Sequence, residues 1–243
     1  MMTIKKTPSF TSPKNSSPLY EAVETWIFDL DNTLYSASSN LFAQVDQRIG
    51  DFIATRFSLP SDEARQRQKR LFYDHGATLR GLMTEYGVDP QAFLDHVHNI
   101  DLSVLPPNPD LACALARLPG RKLVFTNAEA RYAQRVLERL EIADQFSGIF
   151  DIVRAEYLPK PDPRPYRALV REYAVDPVHA CMIDDLARNL TPAAALGMST
   201  VWVRGNTRWS RPDDVASALT DYITDDLTAW LEDIVSNNSP SSG

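Results

Sequence analysis

Short apolar runs alternate with stretches of helical period along most of this chain. Residues 24–29, 122–126, 149–153, 180–183 and 199–203 are short runs dominated by apolar side chains, and each reads as a strand. Helical segments lie between them. A strand–helix alternation of this kind predicts an α/β fold, with a parallel sheet covered by helices on both faces.

One long interruption breaks the alternation. From about Tyr35 to Pro107 there is no strand signal. Leu41, Phe42, Val45, Ile49, Phe52 and Ile53 fall on one face of a helix. Further helices are expected at 61–74, 78–86 and 90–98, punctuated by Pro60, Gly87 and Pro90. Pro106-Pro107-Asn108-Pro109 marks the return to alternation. The expected division is therefore an all-α insertion at 35–105 within a sheet-forming core at 19–34 and 106–235. Residues 1–18 and 236–243, rich in Ser, Pro, Asn, Lys and Thr, are expected to be disordered tails.

Composition narrows the function classes. The 243 residues are 44% hydrophobic, enough for a substantial core, and carry a net charge of -7. With no dominant basic cluster, recognition of nucleic acid through a basic face is not expected. The charges of Arg65-Gln66-Arg67-Gln68-Lys69-Arg70 read as a solvated helix face. No apolar run of about 18 residues exists, so no transmembrane helix is expected. The N-terminus lacks the apolar segment of a secretory signal. The two cysteines, Cys113 and Cys181, have no metal-binding spacing and read as buried thiols of a reducing, cytoplasmic compartment.

The chemistry concentrates at strand ends. The first apolar run climbs to Asp29, and Asp31 follows two residues later, so both carboxylates should leave the strand toward one side. Two close carboxylates repel unless a cation or proton lies between them. Mg²⁺, held by one or two carboxylates plus substrate phosphate oxygens, is the natural compensation. Such a pair supports a nucleophile at Asp29 and a proton donor and acceptor at Asp31. Thr33 adds a hydroxyl to the same loop. The competing reading is an acidic turn in which Asp and Asn only bond the local backbone. Later strands end in complementary groups: Thr126-Asn127, Lys160 among prolines, and Asp184-Asp185. Each also has a plain reading, as a helix cap or a solvated lysine. Together they supply the nucleophile, metal anchor, hydroxyl or amide donor and cation that phosphoryl transfer needs.

The series Asp29-x-Asp31-x-Thr33, Thr126, Lys160-Pro161 and Asp184-Asp185 resembles the four motifs of the haloacid dehalogenase superfamily, over about residues 24–203. The resemblance implies a Rossmann-like core, with the helical insertion acting as a cap over the site. It implies that Asp29 forms an aspartyl-phosphate while Asp31 protonates the leaving oxygen and then activates water. Thr126 and Lys160, with Asn127 beside them, would hold the phosphoryl oxygens. Mg²⁺ would be bound by Asp29, Asp184 and the backbone carbonyl of Asp31, with Asp185 and Asn189 in support. Dehalogenases of this superfamily lack an acid two residues after the nucleophile, so Asp31 favours a phosphatase; a phosphomutase is a weaker rival.

Within the insertion, Tyr73-Asp74-His75-Gly76-Ala77-Thr78-Leu79-Arg80-Gly81-Leu82 reads either as a plain inter-helix turn or as a substrate-facing loop. It is similar to the Tyr-Gly-Thr-Thr-Leu-x-Gly-Leu stretch of the pyrimidine 5′-nucleotidase branch, with His75 in place of Tyr and Ala77 in place of the first Thr. Asp29-Leu30-Asp31-Asn32-Thr33-Leu34-Tyr35 and the downstream Leu41-Phe42 and Arg48-Ile49 are similar as well. The resemblance makes Tyr73, His75, Thr78 and Arg80 candidate specificity residues and a pyrimidine nucleoside 5′-monophosphate the expected substrate. The alternatives are a sugar phosphate, phosphoglycolate or another small monoester, or a non-catalytic phospho-ligand binding module. His96 and His98, two apart on a helix, point to different faces and read as surface residues.

Overall fold

The computed structural model describes residues 22–205 and 220–237. Strands β1 (Thr25–Phe28), β2 (Arg121–Phe125), β3 (Gly148–Phe150), β4 (Ala180–Asp184), β5 (Ser199–Val203) and β6 (Tyr222–Thr224) form one sheet. Their order is β3-β2-β1-β4-β5-β6, and every neighbouring pair is parallel. The α/β class and the parallel sheet are as the alternation predicts.

All four residues of β1 are buried, as a central strand covered on both faces requires. The period of two divides the sheet's side chains between two cores. Trp26, Phe28, Val124, Cys181 and Ile183 pack on one face, and Ile27, Leu123, Phe125 and Met182 on the other. Phe28 lies level with Val124 of β2 and Ile183 of β4. Three strands therefore end side by side, where open parallel sheets place their ligands.

Between β1 and β2 run α1 (Leu41–Phe57), α2 (Ser61–His75), α3 (Thr78–Tyr86), α4 (Pro90–Val97) and α5 (Pro109–Arg117). The later helices are α6 (Ala130–Arg139), α7 (Pro163–Glu172), α8 (Ala187–Ala195) and α9 (Leu227–Asn237). Several starts are written locally. Asp89 accepts from the amides of Gln91 and Ala92 ahead of Pro90, Asn108 accepts from Leu111 ahead of Pro109, and Asp162 accepts from Arg164 ahead of Pro163. Each pairs a side-chain cap with a proline whose missing N–H costs nothing in the first turn. Gly81 lets α3 approach α2 closely: a Cβ there would stand 2.7 Å from Leu71.

Some expectations need correction. Strand β3 stops at Phe150, not Val153, because the Asp151 carboxylate accepts from the amides of Ala130 (2.8 Å) and Arg154 (2.9 Å) and turns the chain. Cys113 is exposed, because α5 buries Leu111, Ala114 and Leu115 instead; Cys181 is buried as expected. Gln68 is wholly buried rather than part of a solvated face, since its amide donates to the Asp46 carboxylate at 2.7 Å. Strand β6 is too short for an apolar run to announce it. Helix α9 does carry a signal, burying Leu227, Trp230, Leu231 and Val235 at helical spacing. It reaches Asn237, into the segment read as tail; residues 1–21 and 238–243 lie outside the described residues. Among the described residues, no helix is long and apolar enough to cross a membrane.

Candidate active site

Asp29 follows the last residue of β1, and its amide donates to the carbonyl of Ile183 at 2.8 Å, which ties it to β4. Its carboxylate is held from two sides. Thr33 Oγ1 donates to Oδ2 at 3.2 Å, and Lys160 Nζ donates to Oδ1 at 2.6 Å. Lys160 is 1% exposed and its ammonium also donates to Asp184 Oδ2 (2.7 Å) and the carbonyl of Phe125 (2.9 Å), so all three of its N–H bonds are engaged. Asn127 positions the loop that delivers it, accepting from the Lys160 amide at 2.8 Å and donating to its carbonyl at 3.4 Å. On β4, Asp184 Oδ1 accepts from the amide of Leu186 and from Asn189 Nδ2, both at 2.9 Å. Thr126, at the end of β2, accepts from the Ala128 amide at 3.0 Å.

Three carboxylates face this single ammonium. Oxygens of Asp29, Asp184 and Asp185 lie within 4.8 Å of one another, and all three residues are buried. Burial raises the pKa of Asp29 to about 7, the pull of Lys160 notwithstanding, and Asp184 and Asp31 push it the same way. Burial, then Asp184 and Asp29, drive that of Asp185 well above its ordinary value. Burial works to lower the pKa of Lys160, but the two carboxylates it bridges carry it above the ordinary lysine value. The surplus negative charge and the hard oxygen donors suit a divalent cation such as Mg²⁺.

Asp31 lies beyond the strand end and turns aside. Its Oδ1 accepts from the phenol groups of Tyr35 and, at 3.0 Å, of Tyr132 on α6. Its side chain thus stands outside the carboxylate group of Asp29, Asp184 and Asp185. Burial raises its pKa, and the two phenolic hydrogen bonds only partly offset this.

A cavity of about 160 Å³ opens above these groups. Its floor includes Asp29, Asp31, Thr126, Lys160 and Asp185, and its roof is built from α1, α2, α3 and α4. The roof is mostly apolar: Phe42, Val45, Ile49, Phe72, Phe93 and Val97 line it, with Asp46, Gln68, Thr78 and His98 as its polar members.

A model of the haloacid dehalogenase-like hydrolases matches residues 23–197. The chain belongs to this family. Phosphate metabolism protein 8 of Saccharomyces cerevisiae is 27% identical over 197 residues, 74% of this chain but only 61% of the yeast protein's length. A phosphoglycolate phosphatase of Rhodospirillum rubrum is 30% identical over 201 residues, 72% of this chain and 77% of the relative. The crystal structure of a HAD phosphatase from Thermococcus onnurineus superposes with a TM-score of 0.59 at 19% identity, covering 88% of this chain and 98% of that one, a likeness of fold.

The core residues expected from the hydrolase motifs come together as a group, but those of the insertion do not. Thr78 lines the cavity above Asp29. Tyr73, His75 and Arg80 line a separate cleft with Pro159, Pro161 and Arg164. The reason is local: α2 continues through His75, the left-handed Gly76 ends it, and α3 begins at Thr78, so only Gly76 and Ala77 form a loop. His75 bonds Glu85 at 2.8 Å.

Sequence reasoning missed three members. His98 is buried rather than on the surface; it stacks on Tyr132 with centroids 4.3 Å apart and bonds Glu129 at 3.2 Å. Tyr35, four residues after Asp31, was readable as a partner of that acid. Tyr132 comes from 101 positions away, and nothing local signals it.

Proposed function

We propose that this hydrolase is a Mg²⁺-dependent phosphomonoesterase that works through an aspartyl-phosphate, with a pyrimidine nucleoside 5′-monophosphate as substrate. The observation that carries it is the buried Asp29–Lys160–Asp184 group beside a separately held Asp31, beneath a cavity roofed by phenylalanines. Residues 35–105 are then a cap over a core formed by 19–34 and 106–235, and the enzyme acts in the cytoplasm on a small phosphorylated metabolite.

In this reading each residue has a role. Lys160 and Thr33 fix the Asp29 carboxylate at the strand end. An Asp29 oxygen bonds to phosphorus as the phosphorus–leaving-oxygen bond breaks; the leaving oxygen keeps the electron pair and takes the proton of Asp31. Asp31 then removes a proton from water, whose oxygen attacks phosphorus, and the Asp29–phosphorus bond breaks to return the carboxylate. Thr126 and Asn127 would donate to the phosphoryl oxygens, and Lys160, its three N–H bonds held by Asp29, Asp184 and Phe125, adds positive charge beside them. Asp29 and Asp184, with Asp185 and the Asp31 carbonyl, would hold Mg²⁺, and Asn189 orients Asp184. Bound there, Mg²⁺ would supply the positive charge that offsets the phosphoryl oxygens against an approaching carboxylate.

The aromatic roof supports a planar leaving group, and Thr78 and Asp46 offer polar contacts to its edge. A second reading keeps the mechanism and takes a smaller monoester. It is favoured by relatives named as phosphatases of phosphoglycolate and of glyceraldehyde 3-phosphate. Phosphate release from UMP, CMP, AMP, phosphoglycolate and a sugar phosphate separates the two. A kcat/KM for UMP or CMP at least tenfold above the others supports the pyrimidine reading, and preference for phosphoglycolate overturns it.

A further inference from the structure

We propose that Tyr132 is a positioning residue for the acid of the reaction, and that His98 extends this control to the helical insertion. The inference rests on the phosphatase reading above. Oδ1 of Asp31 accepts O–H bonds from both Tyr35 and Tyr132, which occupies both of its lone pairs. The proton Asp31 delivers must then sit on Oδ2. Two phenols fixed on one oxygen thus decide which oxygen serves the leaving group and where it points.

Tyr132 is itself locked. It is 1% exposed, and the His98 ring lies flat on it, 9° from parallel at 4.3 Å. His98 follows α4, and its ring is held by Glu129 at the start of α6, while its carbonyl accepts from Arg135 at 3.3 Å. His98 also lines the cavity. A leaving group filling that cavity therefore meets a ring that bears directly on the residue orienting Asp31. Contact with the insertion and alignment of the acid become one event.

The test is single-turnover release of the leaving group, which reports the first chemical step alone. Substrates are UMP and phosphoglycolate, whose alkoxides need a proton, and p-nitrophenyl phosphate, whose phenolate does not. Tyr132→Phe keeps the ring and the stack. We expect it to slow alkyl esters about 10- to 100-fold, the effect of one lost hydrogen bond to the carboxylate that forms as Asp31 gives up its proton, with the aryl ester slowed about threefold or less and KM little changed. His98→Ala should show the same split, and His98→Phe, which keeps a flat ring, should restore most of the rate. Equal losses on all three substrates, or no loss on the alkyl esters, would overturn the positioning role. A wild type that releases phosphate from none of them defeats the phosphatase reading, and this proposal with it.

Discussion

Lys160→Met isolates the charge balance of the site. The ammonium is 1% exposed and bridges Asp29 and Asp184 at 2.6 and 2.7 Å. Removing one partner of a buried ion pair costs about 3–5 kcal/mol, because the other charge remains buried without compensation. In a domain of this size 1 kcal/mol moves Tm by about 2–4 °C, so a fall of roughly 6–20 °C is expected. The cost depends on pH. The pKa of Asp29 is already raised to about 7, and losing the lysine raises it further. A carboxyl whose folded pKa exceeds its unfolded value loses stability as pH rises from the unfolded value toward the folded one. At pH 6 Asp29 in the variant is protonated and the deficit is small; at pH 8 ionisation forces two or more unpaired carboxylates together and the deficit grows. Mg²⁺ should recover part of it by replacing the lost positive charge. The assay is thermal unfolding of both proteins at pH 6 and pH 8, in EDTA and in Mg²⁺. A variant within about 3 °C of wild type at pH 8 in EDTA, or a deficit independent of pH, would refute this electrostatic account.

Three further outcomes are expected. EDTA should abolish phosphate release and Mg²⁺ restore it; Asp184→Ala should behave like the chelated enzyme, and Ca²⁺, which prefers more ligands at longer distances, should inhibit. Full activity in excess EDTA would contradict this. Asp31→Asn should slow nucleotide hydrolysis far more than release of p-nitrophenolate in a single turnover; equal losses would remove its role as acid. Thr78→Ala should change the ranking of UMP, CMP, AMP and a sugar phosphate by about 10- to 100-fold, as a lost polar contact to a buried ligand does. His75→Ala, in the other cleft, should leave that ranking as it is.

The strand ends were legible because their signal is local. Each chemical group directly follows an apolar run, and parallel register then brings Asp29, Thr126 and Asp184 to one edge. Lys160 was readable for the same reason, fixed among prolines before a capped helix. The direction of Asp31 was not legible: the period of two holds only within the strand, and β1 ends at Phe28. Its orientation comes from Tyr35, four residues on, and from Tyr132, a tertiary partner without a local cue. The segment from Tyr73 to Leu82 divides between two helices, and of its candidate residues Thr78 lines the cavity while Tyr73, His75 and Arg80 line the other cleft. Gly76 does end a helix, but Gly81 lies inside one, where it admits Leu71. His98 looked exposed on helix periodicity alone, yet it sits just after α4 and is covered by α6.

The central claim is covalent attack by Asp29, and one comparison tests it most directly. Phosphate release by wild type and Asp29→Asn is measured side by side in Mg²⁺, with folding of both checked by thermal unfolding. An amide cannot act as the attacking carboxylate, so a loss of at least about 10³-fold is predicted for a variant that remains folded. A folded Asp29→Asn that works within tenfold of wild type would contradict the aspartyl-phosphate mechanism.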